Sequence, residues 1–280
     1  MGLYLRPVTL TAALTQLAER PRTILAGGTD HFPARVLSRP DEDILDITAL
    51  PGLRGVERRG DHWWLPCQTT WTDVLEAPLP PAFDALKAAA RQIGGAQVQN
   101  AATLVGNLCN ASPAADGIPC LLALDASVEL ASVHGQRVLP VDAFVRGPRQ
   151  TARRPDELAL GLRVPVIADA ASSFEKLGAR RYLVISIAMV AAVAAFDAAG
   201  RIRHARVAVG ACAPRAQRLP ELEAALLGRP PDPSLAREEH LAPLAPIDDV
   251  RATAAYRRAA ALELVRRAIG RLVPAMARAA

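Results

Sequence analysis

The segment Ile24-Leu25-Ala26 runs directly into Gly27-Gly28-Thr29-Asp30-His31. An apolar run that ends on two glycines stops being a strand there, because glycine frees the backbone to turn and to approach another group closely. Successive N–H groups in such a turn form a concave nest that suits an anion. Thr29 adds a hydroxyl. Asp30 is ill suited to a phosphate, since like charges repel, and fits a hydroxyl partner or the cap of the next segment better. The spacing is not G-x-G-x-x-G and no Gly-Lys-Ser/Thr follows, so neither the Rossmann fingerprint nor the P-loop applies. Taken alone, the segment is also the pattern of an ordinary turn.

A second stretch, "TLVGNLCNASPAAD" from Thr103 to Asp116, is poor in charge and rich in small polar groups. Thr103, Asn107, Asn110 and Ser112 are neutral hydrogen-bonding side chains, Gly106 lies among them, and Asp116 closes the run. Neutral donors and glycine backbone suit a pyrophosphate and a polyol chain. The alternative is a polar loop whose side chains satisfy their own backbone as Asx and Ser turns. Two such loops in one chain, each fed by an apolar element, point to a large phosphorylated cofactor.

The rest of the chain frames these loops. "TLTAALTQLAERP" predicts a helix capped by Thr9, with Leu10, Leu14 and Leu17 on one face and Pro21 at its end. "DEDILDITAL" reads as a short strand, and "GLRGVERRGDHWWLPCQTT" as a hairpin turning at Arg59-Gly60-Asp61. "PAFDALKAAARQI" spaces Phe83, Leu86, Ala90 and Ile93 as a helix that Gly94-Gly95 ends. Ile118 to Ala126 predicts a short buried helix, followed by a strand through Val128 and Leu130. "RVLPVDAFV" and "DELALGLRVPV" read as strands. From about Ser172, "YLVISIAMVAAVAAFDAAGRIRHARVAVGACAP" predicts antiparallel strands turning at Asp197 to Gly200. A Pro-rich connector leads to a last helix striped by Leu262, Val265, Ile269 and Leu272. This is an α+β pattern in units 1–55, 56–170 and 171–280.

Composition excludes several classes. The apolar run Leu183 to Phe196 falls short of the roughly 20 residues of a spanning helix, so no membrane span is expected. The N-terminus lacks the pattern of a secretory signal, and the chain reads as cytoplasmic. Cys67, Cys109, Cys120 and Cys212 form no C-x-x-C pair, and the five histidines are dispersed, so neither a metal site nor an iron–sulfur cluster is expected. All four cysteines read as small buried hydrophobes. Arginine supplies nearly all of the positive charge, with lysine only at Lys87 and Lys176. The arginines are spread along the chain without an aromatic ladder, which argues against a nucleic-acid surface.

The pair "AGGTD" and "QVQNAATLVGNLCNASPAAD" resembles the FAD-binding, or medium, subunit of the molybdenum hydroxylases. That family includes carbon monoxide dehydrogenase, xanthine dehydrogenase-like and aldehyde oxidoreductase complexes. The resemblance continues through "PCLLALDASVEL", "DELALGLRVP", "FEKLGARRYLVISIAMVAAVAAFDAAGRIRHARVAVGACAP" and the last helix. It implies a two-subdomain FAD-binding fold of the PCMH, or vanillyl-alcohol-oxidase, type, followed by a C-terminal domain of antiparallel sheet and helices. It also implies non-covalent FAD, with Ala26, Gly27, Gly28, Thr29, Asp30 and His31 as the first loop on the pyrophosphate. Thr103, Gly106 and Asn107 would face them, and Asn110, Ser112 and Asp116 would reach the phosphates and ribityl hydroxyls. Lys176, in "FEKLG", matches a lysine the family places near the flavin, where its charge would stabilise a reduced anionic ring. The alternative for Lys176 is a solvated surface lysine.

The implied function is electron transfer. Substrate would be hydroxylated at a molybdopterin centre on a large partner, and electrons would pass through [2Fe–2S] clusters on a small partner to this FAD. NAD⁺, a quinone or another acceptor would then receive them. No residue of this chain need act as acid, base or nucleophile, and the assembly implied is a dimer of heterotrimers. Two departures stand out: Gln99 replaces the family's arginine, and Val105 its first loop glycine. A β-branched residue disfavours φ > 0, so the second loop is expected to be reshaped or its FAD held less tightly. A stand-alone FAD oxidoreductase and a flavin-free scaffold are the rival readings.

Overall fold

Two short parallel strands and the helix between them open the chain. In the computed structural model, which describes residues 2–35 and 41–273, β1 (Tyr4–Leu5) leads to α1 (Leu10–Glu19) and β2 (Thr23–Leu25). Thr9 caps α1 by accepting the Ala12 N–H. β3 (Ile44–Asp46) lies between the other two, parallel to both, in the order β1-β3-β2.

The second sheet is antiparallel. β4 (Glu57–Arg59) and β5 (His62–Pro66) form the expected hairpin around Gly60, whose φ of 60° suits a glycine turn. Helices follow in quick succession: α2 (Trp71–Glu76), α3 (Asp84–Ala90), α4 (Ala96–Ala101), α5 (Leu104–Asn110) and α6 (Gly117–Ala123). Then come β6 (Ser127–Ser132), β7 (Gly135–Pro140), one turn of helix α7 (Val141–Phe144), the ribbon β8 (Val145–Gly147) and β9 (Gln150–Thr151), and β10 (Leu158–Pro165). The sheet order is β4-β5-β10-β6-β7.

Two sequence expectations change here. The stretch expected as a polar loop after Thr103 is the helix α5: Thr103 accepts the Gly106 N–H as its cap, and Leu104, Val105 and Leu108 are buried. Capping and an apolar i, i+4 pair outweigh the poor helix propensity of Gly106 and Asn107. "RVLPVDAFV" is a strand only to Pro140, after which α7 turns the chain back.

The last sheet, β11-β12-β13-β14, is built from β11 (Ala170–Leu177), β12 (Ala188–Phe196), β13 (Ile202–Gly210) and β14 (Gln217–Arg218). Every residue of β12 is buried. Met189, Ala191, Val193 and Ala195 face the core shared with the first two sheets, whereas Ala188, Val190, Ala192, Ala194 and Phe196 face a second core. Helices α8 (Pro220–Leu226) and α9 (Ala254–Gly270) close that second core. A strand covered on both faces reads as a continuous apolar run, which explains the composition of this segment.

The stripe of α9 is rotated from the expected one. Val265, Ile269 and Leu272 are buried, but Ala261, Leu264 and Ala268 complete the face and Leu262 sits at its edge. Arg257 is buried with them, donating through Nη1 to the Ile187 carbonyl at 2.6 Å and through Nη2 to Asp249 Oδ1 at 2.6 Å. Among the described residues, no helix is long and apolar enough to cross a membrane.

Candidate functional site

Where β2 ends, Ile47 N–H donates to Leu25 O at 2.9 Å and the chain leaves the sheet. The two glycines then serve different needs. A Cβ on Gly27 would lie 2.0 Å from the Ala101 carbonyl oxygen, so the first glycine is required by close approach to the end of α4. Gly28 has φ +67°, so the second is required by backbone conformation. Phe32 N–H closes the turn on Gly28 O at 3.0 Å. Among the described residues, the N–H groups of Gly27, Gly28, Thr29, Asp30 and His31 have no protein acceptor. They form an open row of donors.

The facing wall is anchored by the segment before α2. Leu104 N–H donates to Thr69 O at 3.0 Å, Trp71 N–H to Ala102 O at 3.2 Å, and Thr70 pairs with Thr103. Thr70 itself is fixed by a capping box with Asp73. Thr103 turns its hydroxyl inward to cap α5, and a Cβ on Gly106 would meet that oxygen at 2.6 Å. Gln99 donates to the Ile93 carbonyl at 3.2 Å, tying α4 back to the end of α3.

Between these walls lies a cleft of about 590 Å³, within the usual range for a small-molecule site. It brings together Ala26, Gly27, Gly28, Thr29, Asp30 and His31 from one side with Thr103, Gly106, Asn107 and Asn110 from the other. Val105 also lines it, but sits inside α5, buried, and is not among the residues with positive φ. The strain expected at Val105 is therefore absent: the backbone there is helical, and a valine is tolerated.

Two buried polar atoms in the cleft wall have no hydrogen-bond partner among the described residues, the Asn107 Oδ1 acceptor and the Trp71 Nε1 donor. Trp71 is fully buried and Asn107 Oδ1 lies against Gly117 of α6, so both atoms sit behind the cleft surface. The charge balance fits an anion. Arg22, Arg35 and Arg153 line the cleft against a single carboxylate, Asp30. Arg22 and Arg35 are matched by Glu19 and Glu42. Arg153 Nη1 donates only to carbonyls, including Glu157 O at 2.8 Å, so its charge stays uncompensated by any carboxylate among the described residues. The Arg35 hydrogen bond, opposed by partial burial, holds the Glu42 carboxyl at about 2.

Three of the expected site residues lie outside this lining. Ser112 accepts the Ala114 N–H at 3.3 Å in a local serine turn. Asp116 and Lys176 pair with each other at 2.6 Å, and Ser186 Oγ donates to the second Asp116 oxygen at 2.5 Å. Lys176 is buried, so it is not a solvated surface lysine. Burial pushes the Asp116 carboxyl up, against the opposite pull of Lys176. Arg149, Arg153 and Trp71 were not singled out from the sequence. Nothing local marks them: each is brought in from a different element.

The four cysteines are free thiols, and Cys67 and Cys109 line the cleft. Burial pushes Cys67 up to about 12 and Cys109 and Cys212 to about 11. Among the described residues, no group of three histidine, cysteine or acidic side chains is placed to hold a metal.

The cleft suits a phosphorylated ligand, and comparison with known proteins supplies the family. Residues 1–167 match the FAD binding domain in molybdopterin dehydrogenase, and residues 173–272 the CO dehydrogenase flavoprotein C-terminal domain. The nicotine 6-hydroxylase medium subunit of Paenarthrobacter nicotinovorans is 31% identical over 273 residues, covering 95% of each chain. The carbon monoxide dehydrogenase medium chain of Hydrogenophaga pseudoflava is 29% identical over 265 residues, covering 92% of this chain and 91% of that one. A solved structure of carbon monoxide dehydrogenase from the same organism superposes with a TM-score of 0.90 at 29% identity, covering 99% of this chain and 98% of the other. The chain belongs to the FAD-binding subunit family of the molybdopterin dehydrogenases.

Proposed function

We propose that this chain is the FAD-binding medium subunit of a molybdenum hydroxylase complex. In this reading it takes electrons from [2Fe–2S] clusters on a small partner and hands them to an external acceptor, while a large molybdopterin-binding partner oxidises the substrate. Bound FAD supplies the redox chemistry. The protein's part is to bind, orient and shield. The open N–H row of Gly27 to His31 would receive the diphosphate, with Thr103, Gly106, Asn107 and Asn110 as the opposite wall. Ser112, Asp116 and Lys176 would support this cradle from behind, by fixing the chain after α5 and joining α6 to β11. The units 1–55 and 56–170 would form the cradle and 171–280 its support.

The single observation that carries the reading is the row of unpartnered backbone donors, Gly27 to His31, that lines one wall of the cleft. The complex would be a cytoplasmic dimer of heterotrimers. Affinity purification of the tagged chain from its native cells tests the assembly. Molybdenum and iron should co-purify in stoichiometric amounts with FAD. A lone flavoprotein whose colour is bleached by a small-molecule reductant, with no metal, would overturn it in favour of a stand-alone oxidoreductase.

A further inference from the structure

A row of backbone donors serves a phosphate only if nearby carboxylates are neutralised, and this row contains Asp30. Asp30 is the sole carboxylate among the described residues that line the cleft. Left bare, it would repel any diphosphate seated on the adjacent N–H groups.

The counterion comes from far along the chain. Arg149, in the turn between β8 and β9, reaches Asp30 Oδ2 with Nη1 at 2.8 Å, and the same nitrogen donates to Asn110 Oδ1. Its backbone is set for this task. Arg149 N–H donates to Ala111 O at 2.9 Å, and both residues hold left-handed backbones, with φ 58° and 47°. Non-glycine residues rarely take that conformation. Arg149 thus joins the glycine loop, the end of α5 and the β8–β9 turn at one point on the rim. Both side chains of the ion pair are 57% exposed, and exposed pairs contribute little to stability. The geometry is better explained by what the pair does to the cleft.

We propose that Arg149 is the charge-compensating residue of the dinucleotide site. It neutralises Asp30 so that the adjacent N–H row accepts the diphosphate. The proposal rests on the FAD reading above. It concerns the phosphate part of the ligand, so a flavin without phosphates has no need of Arg149.

The test is titration of the full-length apoprotein with FAD, ADP and riboflavin, at low and high salt, with folding of each variant checked by circular dichroism. Arg149→Gln should weaken FAD and ADP about tenfold or more, a ~1.4 kcal/mol effect. Riboflavin should change less than about twofold, and the loss should shrink at high salt. Arg149→Lys, which keeps the charge, should stay close to wild type. The pair Asp30→Asn with Arg149→Gln should regain most of the lost affinity, because the charge to be compensated is gone. A double variant as weak as Arg149→Gln alone would show a tether, not a counterion, and overturn the proposal. So would an Arg149→Gln chain that binds FAD as wild type does. A wild-type chain that binds neither FAD nor ADP would overturn the FAD reading itself, and this proposal with it.

Discussion

Lys176 Nζ lies 2.6 Å from Asp116 Oδ2, and the two side chains are only 5% and 6% exposed. This pair joins α6 to β11, at the seam between the cleft-bearing part of the chain and its last sheet. An ion pair removed from water is held by its partner, and removing one member leaves an uncompensated buried charge.

Lys176→Met should therefore lower stability by about 3–5 kcal/mol. Adding Asp116→Asn should recover most of it, since the neutral amide still accepts from Ser186. Urea midpoints of the single and double variants check this. Equal midpoints for the two would show that the buried charge is not the cause.

Gly27→Ala should weaken FAD binding at least about tenfold, because the new Cβ meets the backbone of Ala101 and the loop must move away. Gly52→Ala is the control. Its φ is +71° but nothing lies near it, so it should cost about 1–2 kcal/mol of stability and leave FAD affinity unchanged. Titration and thermal melts of both variants separate the two effects.

Val105→Gly should not improve FAD binding. Val105 is buried within α5, so the change removes apolar contact and loosens the helix, at about 2–4 kcal/mol. A lower melting temperature with unchanged or weaker FAD affinity is the expected result.

Glu42 sets an acid-side dependence. Its folded value, about 2 against an ordinary 4.5, is depressed by the Arg35 hydrogen bond. The folded state thus favours the ionised form. The resulting stability is present in full above pH 4.5 and is lost as pH falls through about 2. The stability gap between wild type and Glu42→Gln should be largest at neutral pH and close near pH 2. A gap that does not change with pH would contradict it.

Periodicity and caps made the elements legible. Thr9, the Arg59-Gly60-Asp61 turn and the apolar run of β12 all announce themselves within a few residues. The glycine loop was legible for the same reason: backbone conformation is a local property, and Gly27-Gly28 carries it. The second wall was only half legible. Asn, Ser and Gly pull "TLVGNLCNASPAAD" toward a loop, and burial of Leu104, Val105 and Leu108 decided it as a helix. What stayed hidden was long-range. Arg149 meets Asp30 across 119 positions, and Lys176 meets Asp116 across 60. No local pattern encodes such a partner, because it is set by how sheets and helices stack.

FAD held in this cleft would be directly visible. The most direct measurement is the visible absorption spectrum of the purified chain, with chromatography of what it releases on denaturation. A flavin spectrum and about one FAD released per chain are expected, either as purified or after incubation of the apoprotein with FAD. A colourless chain that stays colourless after incubation with FAD, while remaining folded, would contradict the FAD reading.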